Sequence, residues 1–276
     1  MKIISLGVGV QSTALYLMSS MGEIERYDYA IFADTGGEKT ATLGYYDYLI
    51  RWQALNNGIP LYRADYKNIL LDLLNQSNSS GNRFASTPAF TNESGETGML
   101  RRQCTNEYKI AQVNKKIREI LQLTKRQRFP QIEIWQGITI DEAHRMKVPQ
   151  EKWKVNVYPF CGYKSYPDGK CEKIDTPRMT RNDIMNWYAK NNYKLPEKSS
   201  CVFCPFQSDQ NWLRLKKTNP ADFEMDCKVD EAIRDSTKRG NKSKIYLHDS
   251  LKPLREVNFN ENQTTIWGNC SDDCDI

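Results

Sequence analysis

Apolar and polar positions follow two periods along the first half of the chain. Lys2-Ile3-Ile4-Ser5-Leu6 is an apolar run of strand length. Ser12-Thr13-Ala14-Leu15-Tyr16-Leu17-Met18 has its apolar positions at helical spacing, and the turn Gly7-Val8-Gly9 lies between the two. Tyr29-Ala30-Ile31-Phe32-Ala33 predicts a second strand, stopping at Asp34-Thr35-Gly36, and Leu43, Tyr46, Leu49, Ile50 and Trp52 predict a second amphipathic helix. Pro60-Leu61-Tyr62-Arg63 and the run Ile69 to Leu74 repeat strand then helix. Ile110, Val113, Ile117 and Ile120 predict another helix, while Ile132, Ile134, Ile138 and Ile140 alternate as a strand ending at Asp141. Strands alternating with helices predict an α/β fold with a parallel twisted sheet flanked by helices.

The polar stretch Asn75 to Thr97, rich in Ser, Asn and Gly, reads as a loop or lid. The pattern thus divides the chain into an α/β core over residues 1–150 and a Cys-containing carboxyl-terminal portion, 151–276, packed on it. Lys plus Arg exceed Asp plus Glu by 39 − 34 = +5, a mild excess compatible with a nucleotide or polynucleotide partner. No apolar run approaches the roughly 20 residues of a membrane span, and the amino terminus enters a strand-like segment with no cleavage site, so a cytoplasmic location without membrane contact is expected. In that compartment eight cysteines point to metal binding, redox chemistry or burial rather than a disulfide framework.

The turn Gly7-Val8-Gly9-Val10-Gln11-Ser12-Thr13 leads from strand into helix, where backbone N–H groups and hydroxyls can approach a phosphate; tight packing alone is the other use of such glycines. It has neither the spacing of a dinucleotide fingerprint nor a Lys before Ser12. Asp34-Thr35-Gly36 with Glu38 supplies polar groups at the next strand end, where parallel sheets bind ligands, or forms an ordinary turn and cap. Asp141 and Arg145 fit either a catalytic pair or a helix-capping Asp with an i,i+4 ion pair. Arg101, Arg102, Lys109, Arg145 and Lys147 can offset phosphate charge. Of the two histidines, His144 reads as exposed and His248 as a buried imidazole or a nucleotide contact.

Cys201-Val202-Phe203-Cys204-Pro205 is a two-residue-spaced pair that can point two thiolates at one metal. Cys104 and either Cys270 or Cys274 are candidates to complete four ligands. Cys161 and Cys171 are too widely spaced for a metal signature, and Cys227 reads as core.

Taken in order from Ser5 to His248, these segments resemble the PAPS reductase and N-type ATP pyrophosphatase superfamily, especially its phage and bacterial PAPS-reductase-like members. Gly7 to Ser12 resembles a degenerate S-G-G-x-D-S pyrophosphate loop, and Asp34-Thr35-Gly36 its D-T-G segment. Gly98 to Ile110, Gly137 to Lys147, Ser200 to Phe206 and Tyr246-Leu247-His248 also look like this family. The resemblance implies an adenine nucleotide alpha-hydrolase-like fold, with ATP and Mg or a sulfonucleotide held by Ser5, Gly7, Val8, Gly9, Gln11, Ser12, Asp34, Thr35, Gly36, Glu38, Arg102 and Lys109. It implies catalytic roles for Asp141, Arg145 and Cys274. It also implies a [4Fe-4S] cluster, with zinc as the alternative, on Cys104, Cys201, Cys204 and Cys270.

The expected function is nucleotide-dependent sulfur transfer. An acceptor, one of a tRNA base, a DNA phosphate and a small molecule, is adenylated with release of pyrophosphate. Alternatives are a PAPS or APS reductase with Cys270 or Cys274 as nucleophile, and a nucleotide-sensing or nucleic-acid-binding protein without catalysis. Val8 and Gln11 depart from the loop pattern, and Gln11 removes its acidic residue. Oligomer formation is compatible with all three.

Overall fold

The computed structural model describes residues 1–78, 80, 81, 84, 87–93, 96–235, 241 and 243–260. Its centre is a seven-stranded sheet built on β1 (Lys2–Leu6). On one side β1 pairs in parallel with β2 (Tyr29–Ala33), which pairs with β3 (Leu61–Ala64). On the other side it pairs with β6 (Ile132–Trp135), and β6 with β7 (Lys154–Tyr158), also in parallel. The short strands β8 (Tyr163–Ser165) and β9 (Cys171–Lys173) extend this edge in antiparallel fashion. The sheet therefore continues across residue 150 without interruption.

Helices cover both faces, which is why β1 and β2 are apolar on both sides. Ile4, Leu6, Ala30 and Phe32 pack against α1 (Val10–Met21), α2 (Thr40–Asn56) and α5 (Arg181–Lys190). Ile3, Ile31, Ile132 and Ile134 pack against Val113 and Ile117 of α4 (Ala111–Ile120), which continues a wider-wound turn over Thr105–Ile110. A further core joins α3 (Ile69–Leu74), α6 (Asp209–Thr218), α7 (Pro220–Ile233) and the Val202-Phe203 turn.

Two patterns resolve differently from expectation. The alternation Ile132 to Ile140 is a strand only as far as Trp135; Gly137 turns the chain, and Ile140–Arg145 forms a tight 3-10 segment. Within Asn75 to Thr97, Phe90–Glu93 (β4) and Glu96–Met99 (β5) form a hairpin whose first strand, β4, also pairs with β10 (Ile245–Tyr246). No helix among the described residues is long and apolar enough to cross a membrane.

Candidate nucleotide cleft and thiol cavity

From β1 the chain moves outward to β2 and β3, then returns to add β6 and β7 on the opposite side. This reversal opens a crevice beyond the carboxyl ends of β1 and β6, the place where open parallel sheets take ligands. A cleft of about 750 Å3 reaches this end from the α4 face of the sheet, along which it runs back to Lys154 at the start of β7, and its volume is within the range of small-molecule sites. Ser5 of β1, Gln136 and Ile138 after β6, and Asn156 of β7 form its floor; Val113 and Asn114 of α4 form a wall. Arg101, Arg102, Arg145, Lys147 and Lys154 line it, with Glu151 as the acidic counterpart. Such a surface favours a phosphorylated ligand over a neutral one.

Gly7 to Ser12 does not itself line this cleft but abuts it. The Ser12 hydroxyl accepts the Gly7 N–H at 3.2 Å and faces the Gly9 carbonyl at 3.5 Å, folding the turn onto the first turn of α1. Val8 holds φ at 58°, a conformation costly for a β-branched residue and concentrated at ligand loops. The Gln11 amide donates to Glu142 at 2.9 Å and accepts from Arg181 at 3.3 Å, while Glu142 also accepts from Arg145 at 2.5 Å. Gln11 is thus coupled to a cationic side chain of the cleft through one buried carboxylate. It offers no carboxylate of its own, so this loop position does not fit a protein-held magnesium ion.

Asp141 lies outside that network. It is exposed and accepts the Arg181 backbone N–H at the start of α5 at 3.1 Å, and Arg145 pairs with its neighbour Glu142 instead. Glu142 and Arg181 were not singled out as site residues in the sequence: Glu142 stands beside a more conspicuous Asp, and Arg181 arrives from a helix 170 positions beyond Gln11. Asn156 did leave a signal, a polar residue in the otherwise apolar middle of β7, and its amide donates to the Lys147 carbonyl at 2.9 Å.

The Asp34-Thr35-Gly36 segment organises a second, smaller cavity. Asp34 accepts the Gly36 N–H at 2.8 Å and binds Arg63, closing a turn in which Gly36 adopts φ 76°. The next residues dock the cysteine turn: Val202 N–H donates to the Gly37 carbonyl at 2.8 Å, and Glu38 bridges Cys201. Thr35, Arg102, Cys104, Lys109, Cys201 and Cys204 consequently line one cavity of about 30 Å3. That volume suits a water or an ion rather than a nucleotide.

The Thr35 hydroxyl donates to Glu38 at 2.9 Å, so its 3.4 Å contact with Cys201 uses the thiol as donor. This agrees with a Cys201 thiol pushed well up by burial and by the Glu38 carboxylate, with Lys109 pulling the other way. Although three thiols share the cavity, among the described residues no group of three or more His, Cys, Asp or Glu side chains is arranged to hold a metal ion. Cys270 and Cys274 lie outside the described residues. The described thiols do not by themselves fit a cluster or zinc, and no step below passes through one.

His248 is buried, accepting the Ser250 N–H at Nδ1 across 3.1 Å and donating from Nε2 to the Asp209 carboxylate at 3.0 Å, away from both concavities. Cys227 is core, as read from the sequence, and burial pushes it up to about 11; Cys161 is likewise buried and pushed up to about 11. Cys171 is exposed. Because the thiolate is the nucleophile, iodoacetamide at pH 7.5 is expected to modify Cys171 at least about tenfold faster than Cys161, Cys201 and Cys227. Peptide mass spectrometry over a time course reads this order, and equal rates at Cys161 and Cys171 would contradict it.

No protein-family model, curated protein or solved structure matches this chain.

Proposed function

We propose that this protein is a nucleotide-dependent sulfur-transfer enzyme of the PAPS reductase-like and N-type ATP pyrophosphatase superfamily, which activates an acceptor by adenylation. One observation carries the reading: the basic cleft at the carboxyl ends of β1 and β6, joined to the Gly7 to Ser12 turn through Gln11, Glu142 and Arg145. In this reading Arg101, Arg102, Arg145 and Lys147 hold the ATP phosphates. An acceptor oxygen attacks the α-phosphorus, forming one P–O bond as the bond to the β-phosphate oxygen breaks, and pyrophosphate leaves with the electron pair. A sulfur nucleophile of the hydrosulfide class then displaces AMP. The chain contributes position and fixed positive charge where the pyrophosphate charge develops. Glu142 acts as a positioning residue, tying Arg145 to the turn.

ATP incubated with the protein, a sulfide source and an acceptor, supplied in turn as bulk tRNA and as duplex DNA, is expected to yield AMP and pyrophosphate. Arg101 and Lys147 are exposed at the cleft, so the double variant Arg101→Ala, Lys147→Ala should fold normally and weaken ATP binding at least tenfold, since charged hydrogen bonds contribute about 1.5–3 kcal/mol each. Ser12→Ala, which releases the turn from Gly7, should also weaken binding without unfolding the chain. ADP and phosphate as products would refute the adenylation reading. Sulfite released from PAPS would establish the reductase alternative, and ATP binding without turnover the nucleotide-sensing one.

A further inference from the structure

A second concavity of about 700 Å3 lies at the opposite end of β6 and β7, lined by Arg118, Lys125, Arg126, Arg128 and Lys152 together with Phe129 and Trp153. Its described lining contains no carboxylate. Lys125, Arg126, Arg128 and Lys152 are exposed, and none of the four forms an ion pair among the described residues. Concentrating this much unpaired charge in one groove costs self-repulsion that a solvated surface normally relieves with interspersed acids.

The groove is also held in shape. Arg118 does not face outward: its guanidinium donates to the Thr124 carbonyl at 2.6 Å and the Gln127 carbonyl at 3.0 Å and lies 4.4 Å from the Phe129 ring. The Gln127 side chain accepts the Thr124 N–H at 2.7 Å, and Phe129 stacks on Trp153 with centroids 4.2 Å apart. The loop carrying Lys125, Arg126 and Arg128 is therefore pinned at its base, and its cations are presented on a fixed frame.

Groove and nucleotide cleft meet along two elements. On α4, Asn114 lines the cleft and Arg118 the groove, one helical turn or about 6 Å apart along the axis. Before and within β7, Glu151 and Lys154 line the cleft while Lys152 and Trp153 line the groove. A chain of regularly spaced anions lying in the groove would thus run toward the cleft. A phosphodiester backbone is such a chain, and Lys and Arg free of acidic partners are the side chains that bind it through counterion release.

We propose that this groove binds the sugar-phosphate backbone of a nucleic acid and leads it to the cleft. The proposal deepens the adenylation reading by naming the acceptor class, but the binding itself requires no ATP.

The test uses fluorescence anisotropy of two labelled probes, a 20-nucleotide RNA and a 20-base-pair DNA duplex, without ATP at 50 and 200 mM NaCl. The wild-type protein is expected to bind at least one probe, with affinity falling steeply with salt. The variant Lys125→Glu, Arg126→Glu, Arg128→Glu, Lys152→Glu is expected to lose at least tenfold in affinity at 50 mM salt. The magnitude of its slope of log affinity against log salt should fall by about 3, from four lost contacts at about 0.7–0.9 each. Its affinity for ATP, measured without nucleic acid, should match the wild type, because none of these residues lines the cleft. Preferred binding of RNA or of DNA identifies the acceptor and supports the proposal in either case. No binding of either probe at 50 mM salt overturns it, as does an unchanged affinity in the variant or binding only to phosphatidylserine vesicles. These results stand whether or not ATP is hydrolysed, so failure of the groove and failure of the adenylation chemistry are separable.

Discussion

Replacing Gly137 with Ala is expected to lower the thermal midpoint by several degrees and to weaken ATP binding at least tenfold. A Cβ at this position would stand 2.7 Å from the Ser12 nitrogen and 2.8 Å from both the Gln11 carbonyl carbon and the Ser12 Cα. All three are backbone atoms in the first turn of α1, a helix buried almost throughout its length, so no flexible side chain can yield to the methyl group. Overpacking of this kind costs about 1–3 kcal/mol, and in a chain of this size each kcal/mol moves the midpoint by roughly 2–4 °C. The loss should reach function because relief of the clash shifts the turn that resembles a phosphate loop. Gly44→Ala is the control. It lies in α2 with no atom of the described residues within 4 Å of the added Cβ, so the change should stabilise the protein by about 0.5–1 kcal/mol through helix propensity. Scanning calorimetry and ATP titration of both variants would show whether close approach governs the effect, since equal responses at the two glycines would exclude it.

The parts of the molecule that the sequence disclosed are those in which local pattern and tertiary role agree. Strands β1 and β2 are short apolar runs because both faces of a parallel sheet are covered, and α4 keeps its apolar residues on the one side that meets Ile3 and Ile134. Where long-range pairing decides structure, the pattern is mute. Phe90-Thr91-Asn92-Glu93 and Glu96-Thr97-Gly98-Met99 have little strand character, yet they form a hairpin because each finds a partner and β10 covers its edge. The alternation through Ile140 overextended β6, since it carried no sign that Gly137 must approach α1. The same distinction holds at the sites. The glycine turn, the Asp-Thr-Gly segment and the paired cysteines were visible as motifs. Their joining was not: the cavity of Thr35, Cys104 and Cys201 depends on a bridge between Glu38 and a residue far along the chain, and Gln11 meets its charged neighbours through Glu142 and Arg181. The large basic cleft draws on α4, β6, β7 and the intervening loops, none of which carries a motif for it alone.

Along α7, three aspartates at four-residue intervals should respond oppositely to substitution. Asp222 accepts from the Thr40 backbone at 3.0 Å, the Thr40 hydroxyl at 2.7 Å and Asn219 at 2.9 Å. Asp230 accepts the Leu247 and Leu254 N–H groups, each at 2.9 Å, and pairs with Arg234, fixing the segment after β10 to the helix. Asp230→Ala would leave two backbone donors and a guanidinium without their acceptor, and its expected cost is about 3–5 kcal/mol, as for breaking a buried ion pair from one side. Asp226 is 0% exposed, and among the described residues neither of its carboxylate oxygens has a hydrogen-bond partner. Burial holds its carboxyl well above the usual carboxylate range, with Lys39 opposing and Asp222 and Asp230 adding to the effect. The folded chain therefore keeps this proton at pH values where the unfolded chain has released it. The stability linked to that proton is fully present below about pH 4, the ordinary carboxylate value, and falls as pH rises toward the folded-state value. Asp226→Asn removes this dependence, so relative to wild type it should be more favourable at pH 8 than at pH 5. Urea unfolding of both variants at the two pH values provides the comparison. A pH-independent loss in Asp226→Asn as large as that in Asp230→Ala would mean that the Asp226 carboxyl is held by a partner after all, and would remove the basis for treating the middle aspartate differently from its neighbours.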